Sequence, residues 1–376
     1  MKHTPPALAY LRGELARLEG LGLLRTPARR PDGAVLFCSN DYLGLADRVT
    51  SGRAGSGASR LVSGDRDEHR ELERALASWL GTAGAQLFSS GYAANVGALS
   101  ALASEGDLVV SDELNHASII DGARLSRAKV VIVPHLDVAA VERALVAGPR
   151  AKEGAPGPRS WVVTESYFSM DADTPDLQRL RALCDEHGAG LYVDEAHAVG
   201  VMGPEGRGLC AAAGVSADVL VGTLGKAFGA SGAFVAGCDE LTRWLWNRAR
   251  SFVFSTGPSP VASHAGLEGL HLATGSPELR NRVAAAAEML RAGLRELGIA
   301  PLGWGHIVPW VVGDDRRATE IARALLERGF IVVAIRPPSV APGTARLRLT
   351  ATAAHTRTDI DGLLAAVRDL AGGSFT

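Results

Sequence analysis

The chain has 376 residues, 39 basic against 41 acidic, and a formal charge of −2, so it is long enough for two domains and carries no bulk charge that would draw nucleic acid or an acidic membrane surface. No apolar stretch reaches the length of a membrane span, because Gly, Asp, Arg or His interrupts each run. Four scattered cysteines (Cys38, Cys184, Cys210, Cys238) form no Cys-x-x-Cys pair and the chain starts without a charged-then-apolar leader, which argues against zinc, disulfides and export and predicts a cytoplasmic protein.

Residues 8–24 alternate Leu with Arg and Glu as a surface helix does, and a short strand at 36–38 runs into the polar turn Ser39-Asn40-Asp41-Tyr42-Leu43-Gly44. Residues 52–64, rich in Gly, Ser and Arg, predict an irregular loop, and residues 67–80 have helical apolar spacing. A regular alternation comes next. Seven short apolar runs, at 86–88, 108–110, 130–133, 161–164, 191–193, 219–221 and 233–235, are separated in most cases by helical segments near 92–103, 116–125, 138–146 and 177–187. That alternation predicts an α/β fold with a mostly parallel seven-stranded sheet flanked by helices. Residues 151–158 predict a surface loop within it. A long helical stretch at 258–297 then leads to strands at 307–312, 331–335 and 347–350 and helices at 318–328 and 360–370, a smaller C-terminal α+β domain. The expected division is an N-terminal helix and arm at 1–45, a large cofactor-binding domain at 46–265 and a small domain at 266–376.

Two strand ends carry the chemistry: Asp194-Glu195-Ala196-His197 closes one apolar run and Thr223-Leu224-Gly225-Lys226 another, where open α/β sheets gather their ligands. A surface position is the ordinary expectation for a lysine. This chain has very few lysines, however, and Lys226 lies among small residues that make room for a planar ligand and desolvate the amine. A phosphate-binding P-loop is ruled out, since Leu220 replaces the first Gly and Ala227 the hydroxyl that follows Lys. Without a P-loop, Asp-Glu-Ala-His is not the acidic box of a helicase. A lysine for a Schiff base and an acid for a pyridinium nitrogen are instead the groups that pyridoxal 5'-phosphate requires. His197 would reach the same face of that cofactor. Ser90-Gly91-Tyr92-Ala93-Ala94-Asn95 opens a helix after a strand and suits its phosphate. His116, at another strand–helix junction, suits either stacking on a flat ring or a helix cap, and Ser169 comes after a strand, within reach of a ring hydroxyl. Arg346 and Arg348 share one strand face; an arginine there would clamp a carboxylate, and for Arg346 a solvated face is an equal expectation.

From about Leu36 to Leu370 this ordered series, with Gly-Arg-Gly at 206–208 and Ser-Thr at 255–256, resembles the α-oxoamine synthases. These are fold-type I pyridoxal-phosphate-dependent transferases, homodimers with shared active sites, that join an amino acid to an acyl thioester with loss of carbon dioxide. Arg336-Pro337-Pro338-Ser339 and Arg346-Leu347-Arg348 are most similar to the branch that takes L-alanine and a pimeloyl thioester for biotin synthesis. Glycine-using acyltransferases of the same family are the alternative within it, and a non-catalytic paralogue the alternative outside enzymes. The resemblance implies that Lys226, His116 and Asp194 are catalytic, with Gly91, Tyr92, Ser169, His197 and Thr223 also against the cofactor and Ser255 and Thr256 reaching the phosphate in the partner subunit. It places Arg25 and Ser339 at the acyl substrate, Arg348 at the amino-acid carboxylate, and Asn40 and His116 also among the substrate residues. The departures are a short segment between Arg25 and Leu36, Leu136 where the family often has Asn, and Ala172 where Gly is common.

Overall fold

The computed structural model describes residues 11–22, 24, 31, 33–149 and 158–372, so the surface loop expected at 151–158 lies outside the described residues except for 158. Strand β1 (Val35–Leu36) precedes the main sheet, which is built from β2 (Gly84–Phe88), β3 (Leu108–Asp112), β4 (Lys129–Val133), β5 (Ser160–Glu165), β6 (Gly190–Asp194), β7 (Val219–Thr223) and β8 (Ala233–Gly237). Their order is β2-β8-β7-β6-β5-β3-β4, and only β8 runs against its neighbours β2 and β7. The expected mostly parallel sheet of seven strands is therefore present. Strands β3, β7 and β8 are buried along their whole length and β5 and β6 over all but their first residues, as apolar runs require when both faces are covered.

Period-two alternation divides the core between those faces. Val109, Val163 and Tyr192 pack with Ala94, Leu99 and Ile119 from the helices Gly91–Leu102 and Ala117–Ser126. Their strand neighbours Leu108, Val110, Val162, Leu191 and Val193 pack oppositely, with Val141, Leu145, Leu180 and Leu183 from Val138–Val146 and Leu177–His187. Each of these four helices starts on a side-chain cap: Ser90, His116, Asp137 and Asp176 accept from a backbone N–H two or three residues on.

The helical stretch expected at 258–297 is two helices, Pro260–Gly275 and Pro277–Glu296. Pro277 lacks an N–H and drives Ser276 out of helical geometry (φ −124°, ψ 70°), so the first helix ends there. The loop expected at 52–64 closes in a π-helical turn, Arg60–Gly64. After β9 (Ile307–Gly313), the strand expected at 331–335 is two: β10 (Phe330–Ile331) pairs in parallel with β1, while β11 (Val333–Ile335) joins β12 (Ala345–Thr350) and β9 in a separate sheet.

Two compact units result: Ser39–Pro309 with Thr350–Asp361, and the described residues up to Cys38 with Trp310–Leu349 and those from Gly362 onward. This division differs from the boundaries expected at 45 and 265. Leu270, Ala273 and Val283, on the two helices after 259, share a core with Leu72 and Leu76, so both helices belong to the unit of the main sheet.

Candidate active site

The carboxyl ends of the parallel strands converge on one set of polar side chains. Asp194 ends β6, Glu165 ends β5, and the two face each other in register. Asp194 is held by two donors, Asn95 Nδ2 at 2.6 Å and its own loop at Ala196 N, 2.8 Å. Asn95 is itself fixed, donating to Ser118 Oγ (2.9 Å) and accepting from the buried Tyr192 hydroxyl (2.8 Å). Burial pushes the Glu165 carboxyl up to about 8, the Asp194 charge adds to this, and Lys226 and the His116 N–H act against it. Glu165 accordingly holds a proton at neutral pH, as expected of one member of a close carboxyl pair.

Glu195, between Asp194 and His197, has a scaffolding task. It is fully buried and accepts from Ser166 Oγ (2.8 Å), Leu209 N (2.9 Å) and Cys210 N (2.6 Å), anchoring the start of the short helix Gly208–Ala213.

Lys226 comes after β7 in a tight loop closed by Leu224 N to Gly232 O (2.9 Å) and Ala230 N to Leu224 O (2.9 Å). Thr223 shapes that loop: its hydroxyl donates to Gly232 O (3.1 Å) and accepts from Gly225 N (3.2 Å). Gly229 turns the chain with φ +58°, and a side chain there would collide with the Leu45 backbone. The Lys226 Nζ lies 2.8 Å from His197 Nε2. On the other side of that ring, Nδ1 lies 2.7 Å from the hydroxyl of Tyr42, which reaches Asn40 Oδ1 at 3.2 Å.

His116 caps the helix Ala117–Ser126 through Nδ1, which meets Ser118 N (3.3 Å) and Oγ (2.7 Å), and its backbone N–H donates to Glu165 Oε1 (2.7 Å). His116 is therefore the helix cap, and the residue remains exposed. Surrounding protein lowers the imidazole pKa, with Asp194 pulling it up and Lys226 down, which keeps the ring neutral and places all three within electrostatic reach.

The remaining predicted residues divide by location. Gly91 and Tyr92 open the helix Gly91–Leu102, where a Cβ added at Gly91 would meet nothing within 4 Å; the Tyr92 hydroxyl donates to Asp121. Ser169 is half-buried in the loop after β5. That loop is tied down by His135, whose Nδ1 meets Asp112 Oδ1 (2.9 Å) and whose Nε2 meets Asp173 Oδ2 (3.1 Å). Burial opposes charge on His135, but hydrogen bonds to both aspartates outweigh it and raise its pKa to about 10. Ser255 is half-buried and donates to Thr256 O (3.3 Å), Thr256 is exposed, and neither hydrogen-bonds to Lys226, Asp194 or His197. Ser339 and Arg348 belong to the other compact unit, Ser339 exposed and Arg348 buried on β12. Arg346 is buried too and donates to Thr344 O (3.1 Å), so of the two equal expectations for it the solvated strand face is not found. Arg25 lies outside the described residues.

Sequence reasoning missed Glu165, Asn95 and Tyr42. Glu165 carries the signal that singled out Asp194, an acid closing an apolar run, and was findable. Asn95 and Tyr42 meet their partners across 99 and 155 positions, and nothing local marks such contacts.

The residues present suit pyridoxal phosphate: an amine beside an imidazole, a carboxylate fixed at the next strand end, an accessible imidazole, and an unobstructed helix N-terminus for the phosphate. They define a fold-type I pyridoxal-phosphate-dependent enzyme, and the family model described as aminotransferase class I and II matches residues 32–367. A serine palmitoyltransferase solved with its PLP internal aldimine superposes with a TM-score of 0.89 at 28% identity, covering 99% of each chain. The 8-amino-7-oxononanoate synthase of Anaeromyxobacter dehalogenans (strain 2CP-1 / ATCC BAA-258) is 47% identical over 386 residues, 96% of this chain and 95% of its own. The crystal structure of 8-amino-7-oxononanoate synthase from Francisella tularensis gives a TM-score of 0.75 at 25% identity, covering 91% of this chain and 99% of that one. The chain belongs to the class I and II aminotransferase family, on its 8-amino-7-oxononanoate synthase branch. Among the described residues, no helix is long and apolar enough to cross a membrane.

Proposed function

We propose that the chain condenses L-alanine with a pimeloyl thioester, on CoA or a carrier protein, releasing 8-amino-7-oxononanoate, carbon dioxide and the free thiol. The observation that carries this reading is the contact of Lys226 with His197 beside the anchored Asp194, in a chain 47% identical to a synthase of that name. Pyridoxal phosphate supplies the electron-accepting ring that stabilises negative charge at the substrate α-carbon. Lys226 takes the α-proton of alanine as general base and later returns a proton to the product, tasks for an amine held in place. Asp194 would hold the proton of the ring nitrogen, with Asn95 and Ala196 N–H fixing the carboxylate's direction. His116, neutral, would stack on the ring and donate to the keto oxygen as charge develops there. Gly91 and Tyr92 would hold the phosphate at the helix N-terminus, and Ser169, His197 and Thr223 the ring substituents.

The same reading assigns Arg348 to the alanine carboxylate, Arg25 and Ser339 to the acyl chain, and Asn40 to the substrate as well. It makes the protein a cytoplasmic homodimer in which Ser255 and Thr256 complete the partner's phosphate site. The test is optical. Protein reconstituted with pyridoxal phosphate should be yellow, L-alanine should perturb the visible band, and Lys226→Ala should lose both that band and turnover. A protein that stays colourless after reconstitution overturns the reading.

A further inference from the structure

Asn40, Tyr42, His197 and Lys226 form an unbroken row of hydrogen bonds, at 3.2, 2.7 and 2.8 Å, that enters the site from behind His197. The chemistry of the groups sets its direction. An amide oxygen only accepts, so the single hydroxyl proton of Tyr42 goes to Asn40 Oδ1. The Tyr42 oxygen then accepts from His197 Nδ1–H, which leaves Nε2 with its lone pair toward Lys226. Lys226 Nζ donates in either of its protonation states, so all three bonds agree in polarity.

Tyr42 is also unusually well fixed. It is fully buried, its ring packs edge-on against His306 at 4.1 Å between centroids, and its backbone oxygen accepts from Ala353 N at 2.7 Å. Its hydroxyl therefore stays at one point in space while the imidazole has two faces and two neutral tautomers to choose from. We propose that Tyr42 is a positioning residue that holds His197 with its proton on Nδ1 and its Nε2 lone pair aimed at Lys226. Tyr42 acts through His197, and no contact of its own with substrate is needed.

The inference deepens the proposed function of the Lys226 site, but its first readout does not depend on that function. In the full-length, cofactor-free protein labelled with 15N-histidine, the resonance missing in His197→Gln identifies His197, and its nitrogen shifts report which nitrogen bears the proton. The expected result is a protonated Nδ1 in the wild type and, in Tyr42→Phe, a shift toward protonated Nε2. A protonated Nε2 in the wild type, or a tautomer unchanged in Tyr42→Phe, overturns the proposal; the wild-type measurement can overturn it even should the variant fold poorly. In the reconstituted protein, Tyr42→Phe should move the pH midpoint of the visible band by about half a unit or more. A midpoint left in place would also count against it. A protein that binds no pyridoxal phosphate yet shows the Nδ1–H tautomer would refute the function and leave the role of Tyr42 standing.

Discussion

Leu136 and Ala172 each adopt φ +59°, a region that crowds the Cβ of any L residue. Both are held there by their neighbours: Leu136 N donates to Asp112 Oδ2 (2.9 Å), while Ala172 N donates to Phe168 O and Ala172 O accepts from Trp304 N, both at 2.9 Å. The resemblance drawn from the sequence sets Asn and Gly at these positions, residues that enter the left-handed region cheaply. The two departures named from the sequence thus have one physical content. Ala172→Gly should stabilise the protein by about 1 kcal/mol, the order of the strain released. Urea titration checks this, and a loss of stability would show that the strain is smaller than the methyl burial and chain entropy that Gly gives up. Legibility at this scale tracked locality. Asp194, His197 and Lys226 stood out because they close apolar runs, whereas the Tyr42–His197 contact joins segments with no common pattern.

At the scale of elements, the ends of β3 and β5 are joined through His135. Asp112 ends β3, Asp173 lies in the loop that carries Ser169, and the imidazolium bridges them. Because its folded pKa, about 10, lies above the ordinary 6.5, its stabilisation is complete below pH 6.5 and is lost as pH rises through about 10. His135→Gln should therefore cost about 1–3 kcal/mol near pH 6, a gap that narrows steadily toward pH 10. Thermal melts across that range check it, and a gap independent of pH would mean that the ring acts by packing against Phe168 alone. The seven sheet strands were legible because each is a short apolar run between turns. The break at Pro277 was legible in principle, since the Pro backbone dictates it, but the apolar spacing of the two helices runs across the interruption and masks it. The splitting of 331–335 was not legible: β10 and β11 differ only in which distant strand each one meets.

For the whole molecule, the arrangement of the main sheet brings Asp194, Glu165, His116 and Lys226 to the carboxyl ends of neighbouring strands, whichever substrate is used. The class of chemistry was therefore readable from two tetrapeptides, and the fold placed both of them together. The proposed choice of substrate rests on other evidence, the resemblance carried by Arg336-Pro337-Pro338-Ser339 and Arg346-Leu347-Arg348. Domain boundaries were the least legible feature, because the helices after 259 have the texture of the C-terminal segments but share a core with Leu72 and Leu76, far earlier in the chain. The most direct test is a product assay by mass spectrometry. Purified protein, reconstituted with pyridoxal phosphate, is offered L-alanine, glycine or L-serine against pimeloyl-, acetyl-, succinyl- and palmitoyl-CoA. L-Alanine with pimeloyl-CoA should be the preferred pair and should yield 8-amino-7-oxononanoate. Preference for glycine with acetyl- or succinyl-CoA would contradict the proposed function and make the protein a glycine C-acyltransferase.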